Sequence, residues 1–197
     1  MSDAQLRRLM DAIVAGREGA TRLVTPALAK SALGEGATRE SPRAHFYESI
    51  RHYVYAGDTA LHVAAAAHRD VIARALIDAG ADVHARNRRK QTPLHYAVDG
   101  ATGREPAKQV ATIKVLLSAG ADPNAIDRGN VTPLHRAVRN RCADAVRALL
   151  DGGADARRKN GSGSTPLDLA RLTTGKSGSG SPAAKAQQRL ILELLEQ

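Results

Sequence analysis

Three histidines, His62, His95 and His135, each stand three residues after a Thr and directly after a Leu, a regularity that raises the question of a shared metal. Ligands of one zinc must each approach it to about 2.0–2.1 Å. Equivalent positions on successive packed helices lie about 8–10 Å apart, so one ion cannot gather the three. A second chemistry is a thiol nucleophile at Cys142, whose nearest histidine in sequence is His135. Seven residues along one helix separate the pair by about 10.5 Å, too far for proton transfer. Cys142 therefore reads as a packing residue near an inter-helix turn. A third is phosphate binding by Ala170-Arg171-Leu172-Thr173-Thr174-Gly175-Lys176-Ser177, which fits a permissive phosphate-loop pattern. Such a loop needs a strand before it and a helix N-terminus after it, whereas here a helical pattern precedes and a Ser/Gly run follows. No carboxylate pair on a cleft wall, serine triad or dinucleotide fingerprint is visible. The sequence predicts no enzyme, no cofactor and no metal site.

What remains is a set of cations. Arg86, Arg88, Arg89 and Lys90 crowd one polar, turn-forming stretch, Arg128 sits on a second, and Arg157, Arg158 and Lys159 on a third, opposed there only by Asp127. Charge of one sign on one edge steers a partner of the other sign.

The elements that place these cations follow from a repeat. Thr59-Ala60-Leu61-His62, Thr92-Pro93-Leu94-His95, Thr132-Pro133-Leu134-His135 and Thr165-Pro166-Leu167-Asp168 begin 33, 40 and 33 residues apart. A glycine, Gly80, Gly120 or Gly153, falls 21, 28 and 21 residues after the first three of those threonines, so seven residues are inserted inside the second unit. Each unit predicts two short antiparallel helices. Thr caps the first, and Pro at its first position loses no hydrogen bond. The second shows one apolar stripe, with Ala73 before Leu76/Ile77, Ile113 before Leu116/Leu117 and Val146 before Leu149/Leu150. The glycine then ends it as a left-handed C′ residue. The cationic stretches come next and project as fingers before the following Thr.

These Thr-Pro-Leu-His and Gly-Ala-Asp strings, at this spacing over residues 57–170, resemble the ankyrin repeat. The fold class expected is all-α, an ankyrin-repeat solenoid of stacked helix-turn-helix units with projecting β-turn fingers. Four departures stand out: Lys90 and Asn130 replace the usual finger glycine, Ala60 replaces Pro, and Asp168 replaces His. The resemblance implies that His62, His95 and His135 serve structure by bonding to neighbouring loops. It also implies a rigid concave platform for another protein, built from finger tips and first-helix surfaces. The corresponding positions are Arg86, Arg88, Arg89, Lys90, Gln91, Tyr96, Arg128, Asn130, Arg136, Arg139, Asn140, Arg157, Arg158 and Lys159. The alternative is phosphate-backbone binding of nucleic acid along the same edge, which would show as steep salt dependence.

Composition agrees with one such array. The 197 residues are 43% apolar, 25% charged and only 3% aromatic, with no Trp, so the interior must be built from small aliphatic side chains in closely packed helices. The balance of 29 Lys plus Arg against 20 Asp plus Glu gives +9 and an acidic protein as the expected partner. One cysteine excludes an internal disulfide and suits a reducing cytoplasm. With no apolar run of about 18 residues, neither secretion nor membrane spanning is expected. Residues 1–197 read as a single domain, expected to be a monomer. Within it 1–56 form a degenerate capping repeat and connector, 57–87, 88–127 and 128–160 are clear repeats, and 161–197 are a C-terminal repeat or cap with a flexible insertion at 173–182. Leu23, Val24 and Leu28 are expected on a second N-terminal helix, and Leu190, Ile191, Leu194 and Leu195 on one face of the last. The aromatics Phe46, Tyr47, Tyr53 and Tyr55 are expected to be core or cap, and the segment Asp99–Gln109 to lengthen an inter-helix loop.

Overall fold

Thr59 shows how each unit begins. Its extended backbone and hydroxyl precede α3 (Ala60–Ala66), where the hydroxyl oxygen accepts from the His62 N–H while the Thr59 N–H donates to His62 Nδ1. Thr132 and His135 repeat this reciprocal cap before α7 (Pro133–Arg139). At Thr165 the carboxylate of Asp168 takes over the histidine's part and accepts from both the backbone and the hydroxyl of Thr165.

The computed structural model describes residues 3–17, 19–33, 46–99, 105–175 and 181–196. Besides α3 and α7 these comprise α1 (Asp3–Val14), a 3-10 turn (Ala20–Leu23), α2 (Pro26–Ala29), β1 (Phe46–Tyr47), β2 (His52–Tyr53), α4 (Asp70–Asp78), α5 (Pro93–Asp99), α6 (Pro106–Ser118), α8 (Ala143–Asp151), α9 (Pro166–Gly175) and α10 (Pro182–Leu195). The first helices α1, α3, α5, α7 and α9 pack side by side, and the second helices α4, α6, α8 and α10 form a parallel layer behind them. The core runs between the layers. Every residue of α3 is buried, which the small side chains of Ala60, Ala64, Ala65 and Ala66 permit. Ala73, Leu76, Ile113, Leu116, Val146 and Leu149 are the fully buried stripe of the second layer. Gly80, Gly120 and Gly153 end these helices at φ near +90°, a conformation costly for any residue with a Cβ.

Several expectations need correction. The N-terminal unit has no continuous second helix, because Thr25 caps a new four-residue helix at Pro26 and breaks the run begun at Ala20. The aromatic stretch, expected as core or cap, is an antiparallel ribbon with Phe46 opposite Tyr53 and Tyr47 opposite His52; Tyr47 and Tyr55 pack half-buried against the core, and only Tyr53 departs from the expectation, at 43% exposure. The insertion is not only loop. Helix α6 spans 13 residues where α4 and α8 span nine, so four of the seven added residues extend its first turn. Leu190, placed on the buried face by its spacing, is 40% exposed, while Gln188 and Ile191 face inward. The connector expected at Gly34–Pro42 lies outside the described residues, as do residues 176–180 of the expected 173–182 insertion.

Candidate partner-binding surface

Each finger closes through one Asn or Asp five residues before the next Thr. In the first, Asn87 Oδ1 accepts from the N–H groups of Arg89 and Gln91. Asp127 does the same for Gly129 and Val131, and Asn160 for Ser162 and Ser164. Successive fingers are stitched together at the next residue. The Arg88 N–H donates to Ala56 C=O at 2.8 Å, Arg128 N–H to Arg89 C=O at 3.0 Å, and Gly161 N–H to Gly129 C=O at 2.7 Å. A second stitch comes from the histidines. His62 Nε2 donates to Gln91 C=O, His95 Nε2 to Val131 C=O and His135 Nε2 to Ser164 C=O, each on the residue before the next repeat's Thr. The Thr N–H already occupies Nδ1, so neutral rings carry the proton on Nε2. Burial first of all lowers all three imidazoles, His95 to about 4.

The crook between finger and first helix is polar and buried. Tyr96 donates to Asp58 at 2.7 Å and accepts from Asn87 Nδ2 at 2.9 Å. Asp58 also accepts from Asn87 and from the Tyr55 N–H. Burial pushes its carboxyl up, and His62 and these donors pull back. The equivalent residue of the next repeat is Arg136, clamped by Asp99 and, at 3.0 Å, by Asp127. Burial draws this guanidinium only down to about 10, so it is a cation between two carboxylates.

These contacts sort the sequence-predicted site residues. Arg86, Arg88, Arg89, Lys90, Arg128, Asn130, Arg139, Arg157, Arg158 and Lys159 are exposed, and Asn140 is half-buried with its amide on Val98 C=O. Gln91, Tyr96 and Arg136 are corrected: they are buried, Arg136 to 7% exposure, since the crook takes up the Tyr96 hydroxyl and the Arg136 guanidinium, and Gln91 gives its backbone N–H to Asn87 and its C=O to His62. The third finger differs from the first. Arg157, Arg158 and Lys159 precede Asn160 and so sit on its stem, and its tip is Gly161-Ser162-Gly163. Arg88, Arg89 and Lys90 follow Asn87 and form a tip, next to Arg128 on the second.

Sequence reasoning missed Asp58, Asp99 and Asn87, whose roles depend on which helix face meets a finger. It also missed the aromatic neighbours of the first tip. Arg89 Nη1 donates to Tyr55 Oη at 2.9 Å, and the Arg88 and Arg89 guanidinium carbons lie 5.5 and 5.1 Å from the Tyr55 ring centre. A signal was present in the crowding of four aromatics just before the first clear repeat.

Among the described residues no group of three or more His, Cys, Asp or Glu is placed to hold a metal ion, and no helix is long and apolar enough to cross a membrane. Cys142 is half-buried at the start of α8, its thiol on Gln109 Oε1, and burial raises it. Ala170–Gly175 of the phosphate-loop-like string are helical, and Lys176 and Ser177 lie outside the described residues.

No curated protein matches the chain. A family model described as ankyrin repeats (3 copies) matches residues 9–127, and one described as ankyrin repeats (many copies) matches residues 116–170. With more than half its length matched, and with capped helix pairs stacked behind a stitched row of fingers, the chain belongs to the ankyrin repeat family.

Proposed function

We propose that this protein binds an acidic surface of another protein along its finger edge and carries out no chemistry itself. Ankyrin repeats are in general non-catalytic protein–protein interaction modules. The observation that carries the finer reading is the placement of exposed cations on a backbone held by fixed hydrogen bonds. Arg88, Arg89, Lys90 and Arg128 stand on two adjacent tips that are stitched to each other, and the opposing carboxylate of Asp127 is spent on Arg136 and on its own tip. A surface already rigid before docking loses little entropy when a partner arrives. The buried crook adds no cation to the edge, because Arg136 is outnumbered by Asp99 and Asp127. Attraction is therefore concentrated on the fingers and not spread over the first helices.

A monomer in a reducing cytoplasm belongs to the same proposal, supported by a lone cysteine and a net charge of +9. The test is capture of the partner from an extract of the native source by wild type and by the Arg88→Glu/Arg89→Glu/Arg158→Glu variant, with thermal unfolding as the control for fold. The variant is expected to unfold like wild type and to retain the partner poorly. Undiminished capture by a folded variant would discard the charged edge. Preferential recovery of nucleic acid, released steeply by salt, would replace the protein partner by a phosphate backbone.

A further inference from the structure

The first finger does not carry its cations alone. Tyr53 is 43% exposed, its ring 4.5 Å from Phe46 on the opposite strand and 6.4 Å from Tyr55, whose ring in turn holds the guanidiniums of Arg88 and Arg89. Three aromatic rings and two guanidiniums thus form one continuous strip from the ribbon to the finger tip. The Arg88 N–H to Ala56 C=O bond fixes the finger against the segment that follows the ribbon.

We infer that this strip is an anchoring subsite for an acidic peptide segment that carries one aromatic or large aliphatic side chain. The inference rests on the acidic-partner reading above and deepens it. Tyr and Arg are, with Trp, the side chains enriched where truncation costs most binding energy, because they supply large contact area and directed hydrogen bonds together. Arg89 is held on Tyr55 by both ring contact and hydrogen bond, so its fork is already oriented for a carboxylate. Tyr53, beside it, offers a ring edge and face that a partner's apolar side chain can cover. Exposed Arg51 and Lys90 adjoin the strip in sequence, while of the exposed carboxylates Glu48 and Asp11 the second already accepts from the Tyr47 hydroxyl, so the cations set the sign of the partner.

The strip fits a short peptide better than a polynucleotide. Cations on successive tips fall from three, Arg88, Arg89 and Lys90, to one, Arg128, to the uncharged Gly161-Ser162-Gly163. A phosphate backbone needs a continued track of charge, whereas a peptide needs one charged stretch and one anchor.

The experiment is fluorescence anisotropy of the full chain with two labelled synthetic peptides, glutamates around a central Phe and the same peptide with Ala at the centre, and with a labelled uridine oligonucleotide. Wild type is expected to bind the Phe peptide about tenfold more tightly than the Ala peptide. Tyr53→Ala should abolish that preference and leave the Ala peptide's affinity unchanged, while Tyr53→Phe retains it and guards against a fold defect. Arg88→Gln/Arg89→Gln should weaken both peptides. Equal binding of the two peptides by wild type, or a preference that survives Tyr53→Ala, overturns the subsite. If under that outcome Arg128→Glu/Arg158→Glu still weakens both peptides, the wider acidic-partner reading stands without it. Tighter binding of the oligonucleotide than of either peptide removes both.

Discussion

The second and third repeats fill the same crook with different chemistry. Tyr96 and Arg136 each stand four residues after the Thr, and each is bonded to the finger-closing residue nine positions before it, Asn87 or Asp127. Where the finger is closed by a neutral amide, the crook holds a phenol and the third partner is one buried carboxylate, Asp58. Where it is closed by a carboxylate, the crook holds a guanidinium and the third partner is Asp99. In the fourth repeat the position is Leu169, four residues after Thr165. A polar residue here is thus not surface that a ligand can read. In these two repeats it locks a finger to a first helix, a phenol against the neutral Asn87 and a guanidinium against the charged Asp127. Such locks are what allow exposed tips to present cations from a fixed backbone.

The largest expected effect lies in breaking the charged crook. Arg136→Met leaves Asp99 and Asp127 facing each other without their cation, and removing one member of a largely buried ion pair costs about 3–5 kcal/mol. Both carboxylates keep some contact with water, 17% and 11% exposed, which favours the lower figure. Tyr96→Phe leaves Asp58 two donors of three and is expected to cost about 1–3 kcal/mol. Urea unfolding at neutral pH measures both. Equal losses would mean that the crooks are interchangeable locks and that the charge in the third carries no extra weight.

How much of this was legible beforehand follows from the range of each interaction. The Thr caps, the C′ glycines and the stripes of the second helices are set within four residues of chain, and the structure places them where the repeat predicts. The histidine stitches were accessible because the family resemblance supplies a partner loop that local rules do not. Tyr96 and Arg136 were misplaced because a helix position says nothing of the finger folded against it. Asp58 lies 38 residues from Tyr96, and Asp99 lies 37 from Arg136. The extended α6 was hidden for another reason: Pro106 starts a helix as well as it ends a loop.

Acid offers an intermediate effect that also separates the crooks. Burial, then the charge of Arg136, draws His95 to about 4, and burial followed by Arg136, His62 and Arg89 draws His52 to about 3. Unfolded histidine titrates near about 6.5, so between that value and the folded one the unfolded chain binds protons that the folded chain refuses. The stability held by these neutral rings is complete above about pH 6.5 and is lost as pH falls, at about 1.4 kcal/mol per pH unit for the buried His95 and less for His52, which is half-buried. Asp58 works in reverse. Its raised carboxyl takes up a proton in the folded state first, which returns part of the loss in acid. Unfolding free energies from urea titrations are therefore expected to drop from pH 7 to pH 5, by about 2 kcal/mol for His95 alone. His95→Gln, which keeps a donor and does not titrate, should remove its share of the dependence and leave that of His52 and His62. Arg136→Met should make it shallower, since the cation depresses both rings; Tyr96→Phe should leave that slope nearly unchanged.

The smallest effect concerns the tips that the crooks hold. Lys90 and Asn130 occupy one finger position at φ +59° and +54°, and Gly163 occupies it in the third finger at +79°. A left-handed residue with a Cβ costs about 1–2 kcal/mol, less for Asn, whereas glycine gives back about 0.5–1 kcal/mol through the freedom of the unfolded chain. Lys90→Gly is thus expected to stabilise by about 0.5 kcal/mol and Asn130→Gly to be near neutral, as thermal unfolding would read. The pair sharpens the comparison because Asn87 and Asp127 close their tips with the same two side-chain bonds. If the crook alone fixes the tip, removing strain in the first finger changes stability without altering the stitch from Arg128 N–H to Arg89 C=O, and amide exchange at Arg128 stays slow. Faster exchange there in Lys90→Gly would show that the strained lysine, and not the lock beneath it, holds the cationic edge in place.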